Sequence, residues 1–148
     1  MAALIVCASV HHGNTRQIAW VMAQALDAHL CDPADVDPSE AAKYDLIGLG
    51  SGIYFWRHHA SIVRFAQNMP VRGDQRFFIF STRGGFPHWL GHRALKKTLR
   101  KKGAHVVGEF SCKGHDTYGP FKLLGGLNRG HPDADDLERA RRFAEELP

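Results

Sequence analysis

Leu4-Ile5-Val6-Cys7-Ala8 is followed by Ser9-Val10-His11-His12-Gly13-Asn14-Thr15, and then by Arg16-Gln17-Ile18-Ala19. An apolar run stops at a short polar loop, and the loop feeds straight into a helical pattern. Strand, tight loop, helix start is a geometry that binds phosphate. The N–H groups of a helix's first turn have no intrahelical partners and point at whatever lies before them. Gly13 lets the backbone turn tightly or approach a ligand closely. Thr15 adds a hydroxyl and suits an N-cap or first-turn position. The alternative is a turn that serves only as a helix cap. The same order, strand then Gly-rich loop, recurs twice further on, which favours the ligand.

Working outward from this stretch, residues 3–9 read as a buried strand. Residues 15–29 read as a helix with Ile18, Val21, Met22, Ala25, Leu26 and Leu30 on one face. A short edge strand near Val36 and a short helix from Ser39 are expected next. Tyr44 to Gly50 is another apolar strand, ending in the irregular Ser51-Gly52-Ile53-Tyr54-Phe55-Trp56. A helix over 59–68 stops before Pro70. Arg76 to Ser81 is a strand ending in Thr82-Arg83-Gly84-Gly85-Phe86-Pro87. A helix over 89–102 ends at Gly103, a favourable C-terminal residue. Ala104 to Ser111 is a fifth strand. A Gly-rich loop over 112–132 precedes a last helix that starts at Pro132-Asp133.

Continuous apolar strands alternating with helices imply a parallel sheet covered on both faces, joined by right-handed crossovers. Ligands of such sheets bind beyond the carboxyl ends of the strands, where the strand order reverses. The loops at 9–15, 51–59, 82–89 and 112–120 all follow strands and are expected to gather at that edge.

The chain has 148 residues and 44% hydrophobic content, which fits one domain over residues 1–148 with a sizeable core. No apolar run is long enough to cross a membrane, and the N-terminus lacks the order of a signal peptide. Three cysteines, Cys7, Cys31 and Cys112, show no metal-ligand spacing, and a reducing cytoplasm is expected. The net charge of +4 is partly local. Arg93, Lys96, Lys97, Arg100, Lys101 and Lys102 fall in one helical stretch, either a solvated face or a docking surface. No nucleic-acid-binding motif accompanies the charge.

The loops limit the chemistry. The first lacks the Lys of a Walker A loop and the Gly-x-Gly-x-x-Gly of a dinucleotide site. Cys7 is not followed by the Arg of a Cys-dependent phosphatase before the helix starts. Tyr54, Phe55, Trp56, Phe86 and Trp89 place aromatic rings on the ligand edge, which suits either a flat, stacked ligand or rings that tuck back onto the core or form a dimer contact. Ten histidines include the pairs His11-His12 and His58-His59, and His88 and His92 stand four apart. That spacing can bind metal on a helix, but no adjacent carboxylate completes a set. His58 and His59 read as helix-start surface residues or as proton carriers near a ligand. No Ser/His/Asp arrangement and no paired carboxylates emerge. The site therefore reads as one that holds a cofactor and lets it do the chemistry.

Over its whole length the chain resembles the flavodoxin-like flavoproteins. Gly13-Asn14-Thr15 is similar to the end of that family's FMN-phosphate loop, with His11 and His12 where hydroxyls are common. Gly50-Ser51-Gly52-Ile53-Tyr54 and Ser81-Thr82-Arg83-Gly84-Gly85 resemble the loops on either side of the isoalloxazine ring. The resemblance implies an α/β three-layer sandwich with a five-stranded parallel sheet in the order 2-1-3-4-5 and helices on both faces. It implies FMN as cofactor. The residues implied to hold it are Ser9, His11, His12, Gly13, Asn14, Thr15, Ser51, Gly52, Ile53, Tyr54, Phe55, Thr82, Arg83, Gly84 and Gly85. Arg83 is expected to tune the ring or to point to solvent.

The function implied is a redox protein, either an electron carrier or a small FMN-dependent oxidoreductase. It would exchange electrons with a partner protein or a small molecule and would have no nucleic-acid partner. Two alternatives stand beside it: a flavodoxin-like protoporphyrinogen or quinone oxidoreductase, and a cofactor-free interaction module on the same fold. A response-regulator receiver is disfavoured, because Ala8, Ser9 and Val10 supply no carboxylate at the first strand end.

Overall fold

The computed structural model describes residues 2–8, 14–54, 57–83, 88–113 and 133–148. Its strands are β1 (Ala3–Ala8), β2 (His29–Cys31), β3 (Leu46–Tyr54), β4 (Arg57–His58), β5 (Arg76–Arg83) and β6 (His105–Lys113). Its α-helices are α1 (Asn14–Leu26), α2 (Ala60–Asn68), α3 (His88–Lys101) and α4 (Ala134–Glu145). Five strands form a parallel sheet in the order β2-β1-β3-β5-β6, and β4 pairs back on β3. With that short hairpin strand set aside, the order is the 2-1-3-4-5 expected.

The strands alternate between two cores, as the period of two requires. Ala3, Ile5, Cys7, Phe78, Phe80 and Phe110 face α1 and α4, meeting Ile18, Met22, Ala140 and Ala144. Leu4, Val6, Ile47, Leu49, Phe77 and Ile79 face α2 and α3, meeting Ile62, Phe65, Leu95 and Leu99. Every residue of β1 is buried. Among the described residues no helix is long and apolar enough to cross a membrane.

Four features differ from the sequence expectation, each for a local reason. Helix α1 stops at Leu26 rather than 29, because Asp27 takes a left-handed conformation with φ 51°. Ala28 N–H then reaches back to the Ala23 carbonyl at 2.9 Å and closes the helix end. The edge strand is therefore His29–Cys31, in register with Leu4, Ile5 and Val6. Val36 instead ends a short 3-10 turn, Pro33–Asp35, capped by Asp32. A second 3-10 turn, Pro38–Lys43, takes the place of the helix expected from Ser39. Strand β3 runs on through Tyr54, because Ser51 pairs with Ala8 on one side and Ser81 on the other, and Gly52 pairs with Thr82. Ladder hydrogen bonds come from the backbone and do not require apolar side chains. Gly103, at φ 75°, ends α3 as expected.

Two glycines of β3 set the packing of the central sheet. Gly48 stands beside Phe78 and Gly50 beside Phe80 in the register. A Cβ at either position would fall inside the neighbouring phenyl ring. Both rings are fully buried, so neither can swing aside. Gly48→Ala is expected to destabilise the fold by about 1–3 kcal/mol, the cost of overpacking a filled core. Urea unfolding measures it, and Phe78→Leu in the same chain should recover part of the loss.

Candidate functional site

The register places one rung of the sheet at the point where its side chains turn from apolar to polar. Ala8 pairs with Ser51, Ser51 with Ser81, and Ser81 with Ser111. The rung just before it, Cys7, Gly50, Phe80 and Phe110, is still part of the core. Three serines from β3, β5 and β6 thus lie in line near the carboxyl ends of the strands, on the face that carries α2 and α3.

Buried hydroxyls must find partners, and these do. Ser51 Oγ donates to the Gly52 carbonyl at 2.7 Å and accepts the His59 N–H at 2.9 Å. Ser81 Oγ lies 2.7 Å from His92 Nε2 and 2.9 Å from Ser111 Oγ. Arg83 Nε donates to Ser111 Oγ at 3.2 Å. On the far side of its ring, His92 Nδ1 meets Glu109 Oε1 at 2.9 Å, and Lys96 Nζ meets Glu109 Oε2 at 2.9 Å. Burial opposes ionisation of Glu109. Hydrogen bonds from Lys96 and His92 outweigh it and hold the carboxyl below its usual range.

The opposite face carries a smaller contact. Thr15 in the first turn of α1 and Thr82 near the end of β5 share a hydroxyl–hydroxyl bond of 2.7 Å. Both are buried. Thr15 therefore does not present the exposed hydroxyl that a first-turn residue facing a ligand would. Its Oγ is engaged with the third loop's threonine, so the end of the first candidate loop is tied to the start of the third. Helix α1 has no acidic residue in its first turn, which leaves that end receptive to an anion.

The candidate residues divide as follows. Thr15, Ser51, Gly52, Ile53, Tyr54, Thr82 and Arg83 all sit on strand ends or a helix start at one edge of the sheet. Asn14 begins α1. Ser9, His11, His12, Gly13, Phe55, Gly84 and Gly85 lie outside the described residues, as do Trp56, Phe86 and most of the loop over 112–132. Arg83 is half-buried and its Nε is bound to Ser111, so it does not simply point to solvent. Burial pushes the Cys7 thiol up to about 12, consistent with an inert core residue rather than a nucleophile. A cavity of about 340 Å³ beside β1 and β2 carries both Arg16 and His29 and the acids Asp32 and Asp35 in its lining.

The histidines were the least legible part. His58 is not a surface residue: it is 1% exposed, its Nε2 lies 3.0 Å from the Phe80 carbonyl, and its ring centroid is 5.0 Å from that of His92. The carbonyl can only accept, so Nε2 carries the proton and Nδ1 is left bare, buried without a well-formed hydrogen bond. His59 caps α2, accepting the Ser61 N–H on Nδ1. His92 has both ring nitrogens engaged, by Ser81 and by Glu109. No metal-binding cluster is present among the described residues. Glu109 was the missed signal, since an acid inside an otherwise apolar strand needs a cationic or donor partner.

The basic helix is largely a solvated face. Arg93, Lys97, Arg100 and Lys101 are exposed. Lys96 holds Glu109, and Lys102 Nζ donates to the Gln67 carbonyl at 2.8 Å.

An open parallel sheet in this order, with polar strand ends converging at one edge, defines the flavodoxin-like class of α/β proteins. Residues 4–114 match the family model described as a flavodoxin domain, and the chain belongs to that family. It is 46% identical over 149 residues to an uncharacterised protein of Methanocaldococcus jannaschii, covering 99% of this chain and 98% of the relative. Among solved structures it is similar to a Streptococcus pneumoniae flavodoxin, with TM-score 0.73, 18% identity, and coverage of 99% of this chain and 97% of the other. Flavodoxin 2 of Bacillus cereus gives TM-score 0.72 at 20% identity, covering 97% and 95%. Rubredoxin oxygen:oxidoreductase of Desulfovibrio gigas gives 0.73 at 12% identity, covering 99% of this chain and 35% of that one.

His58 gives the site a pH signature. Burial, then the neighbouring His92, push its pKa from 6.5 down to about 3, against the smaller pull of the Phe80 and Gly91 backbone. The folded value is the depressed one. Above 6.5 neither state is protonated at His58, and its contribution is intact. As pH falls from 6.5 toward 3, the unfolded chain takes up a proton that the folded protein refuses, and stability is lost. That one group should cost about 1.4 kcal/mol per pH unit across the lower part of this window. Urea unfolding of the wild type and of His58→Gln at several pH values checks it. The wild type is expected to have the steeper loss, by about one proton.

Proposed function

We propose that the protein binds FMN at the carboxyl edge of its sheet and works as a redox protein, passing electrons between a donor and an acceptor. One observation carries the reading. In a fold of the flavodoxin family, the three stretches singled out in the sequence leave from β1, β3 and β5. These strands are adjacent at the point where the strand order reverses. The Thr15–Thr82 bond links the first of those stretches to the third.

The residues present fit the cofactor. The start of α1 offers backbone donors with no acid in its first turn, which suits a terminal phosphate. The paired ends of β3 and β5 bring Gly52, Ile53 and Tyr54 beside Thr82 and Arg83, and these residues would hold the flavin ring. Bound FMN would supply the electron-accepting chemistry. This chain's own residues would hold the phosphate, fix the ring and set the charge around it.

The test is an absorbance spectrum after incubation with FMN and removal of excess, followed by calorimetry with FMN, FAD and riboflavin. FMN is expected to be retained and to bind more tightly than the other two. Equal affinity for riboflavin would remove the phosphate from the reading, and a colourless protein would favour the cofactor-free interaction module. Turnover with reduced nicotinamides and quinones separates an oxidoreductase from a carrier.

Thr15→Ala is expected to weaken FMN binding by about 1 kcal/mol, indirectly, because loss of the Thr15–Thr82 bond loosens the start of α1 whose backbone donors would hold the phosphate. It should also lower stability by about 1 kcal/mol, because the buried Thr82 hydroxyl loses its partner. Lower stability with unchanged affinity would reduce Thr15 to a strut between α1 and β5.

A further inference from the structure

The chain of contacts from Arg83 to Glu109 has a fixed direction. Arg83 can only donate, and an ionised Glu109 can only accept. His92 Nδ1 must therefore carry a proton to meet Glu109, and a neutral His92 presents a bare Nε2. Ser81 then donates to Nε2, Ser111 donates to Ser81, and Arg83 donates to Ser111. All donors point the same way, from the strand ends inward to the helix.

We propose that the Arg83–Ser111–Ser81–His92–Glu109 chain is a proton relay in which His92 takes up a proton when FMN bound at the strand ends is reduced. The proposal rests on the FMN reading above. Electrons come from an outside reductant, and the proton comes from water at the strand edge. The Ser81 O–H bond breaks as Nε2–H forms. The Ser111 O–H bond breaks as the Ser81 O–H bond is remade. Ser111 regains its proton from the edge. Each proton moves one hydrogen bond inward, and the polarity of both serines reverses. The result is an imidazolium clamped by Glu109, lying beneath the edge where a reduced flavin adds negative charge.

The surrounding groups favour His92 as the proton's resting place. Lys96 keeps Glu109 ionised from the other side of the carboxylate. His58 on β4, its ring 5.0 Å from that of His92 and tilted 37° to it, has Nε2 committed to the Phe80 carbonyl and stays neutral in the range where an imidazole ordinarily titrates. Arg83 on β5 stands at the outer end of the chain. The same residue types occur in serine hydrolases, but Ser81 is 0% exposed and its oxygen already has two partners, so no substrate carbonyl can reach it.

The test has two readouts. Nitrogen NMR of the histidine rings in the flavin-free protein is expected to show neutral His92 protonated on Nδ1, with Ser81→Ala shifting its Nε2 signal. A proton on Nε2 would overturn the relay. In the FMN-loaded protein, reduction with dithionite is expected to raise the proton affinity of His92 by about tenfold or more. By reciprocity, the flavin's midpoint potential should show a matching pH-dependent break. His92→Gln should abolish that break, Ser81→Ala should keep it but slow the proton uptake that follows reduction, and the exposed Lys97→Gln should change neither. Should His92→Gln fail to fold, Glu109→Gln is expected to lower the proton affinity of His92 in both redox states. A wild-type protein that holds no flavin overturns both readings. FMN that binds and reduces with the His92 titration unmoved overturns the relay alone.

Discussion

The structure depends on the abruptness with which its central sheet changes character. Through Cys7, Gly50, Phe80 and Phe110 the strands supply buried apolar positions, with Glu109 on the edge strand as the polar exception. One rung later stand Ser51, Ser81 and Ser111. A backbone ladder continues across the change because its hydrogen bonds are indifferent to side chains. The side chains are not indifferent. Each hydroxyl at that rung needs a partner, and the partners it recruits are His59, His92 and Arg83. The core therefore prescribes the location of the site: it lies where apolar packing ends and the helices still provide cover.

The two faces of the edge do different things. On the α1 and α4 side, Thr15 and Thr82 form a short contact that ties a helix start to a strand end. On the α2 and α3 side, the serine rung, two adjoining histidines and an ionised Glu–Lys pair form a polar layer between sheet and helix. Such a layer is costly to build, since a missing partner leaves a buried polar group unsatisfied. Its presence beside the loops fits a site where charge changes during function. Structural need alone would be met more simply by apolar residues.

The fold was legible because its evidence is local. Leu4 to Ala8, Tyr44 to Gly50 and Arg76 to Ser81 are apolar runs cut off by polar, glycine-bearing segments, and Gly103 marks a helix end by itself. The edge strand was misplaced because Asp27, an ordinary polar residue, adopts a conformation usually left to glycine. Nothing in the sequence around it announces that. The extension of β3 past Gly50 was hidden because Ser51 and Gly52 look like loop residues and become strand only through their neighbours. The histidines were illegible for the same reason. His58 and His59 are adjacent in sequence, yet one is buried and the other caps a helix. His92 reads as half of a metal pair until Ser81 and Glu109, from two other strands, are brought against it. The loops carrying Ser9, His11, His12, Gly13, Phe55, Gly84 and Gly85 were read from their motifs alone.

Strand β1 lies inside the sheet although it is the first element of the chain, flanked by β2 on one side and β3 on the other. All six of its residues are buried, and its pairing with β3 begins only at Leu46. During synthesis β1 therefore emerges from the ribosome well before the strand that covers its longer edge. In that interval it is a short apolar ribbon with unpaired backbone groups, the kind of segment that templates aggregation. Parallel partners separated by a crossover also assemble slowly, since the intervening chain must be closed before any contact is gained. Translation speed through residues 30–55, and chaperone contact with the nascent chain, would then govern the yield of folded protein more than the final stability does.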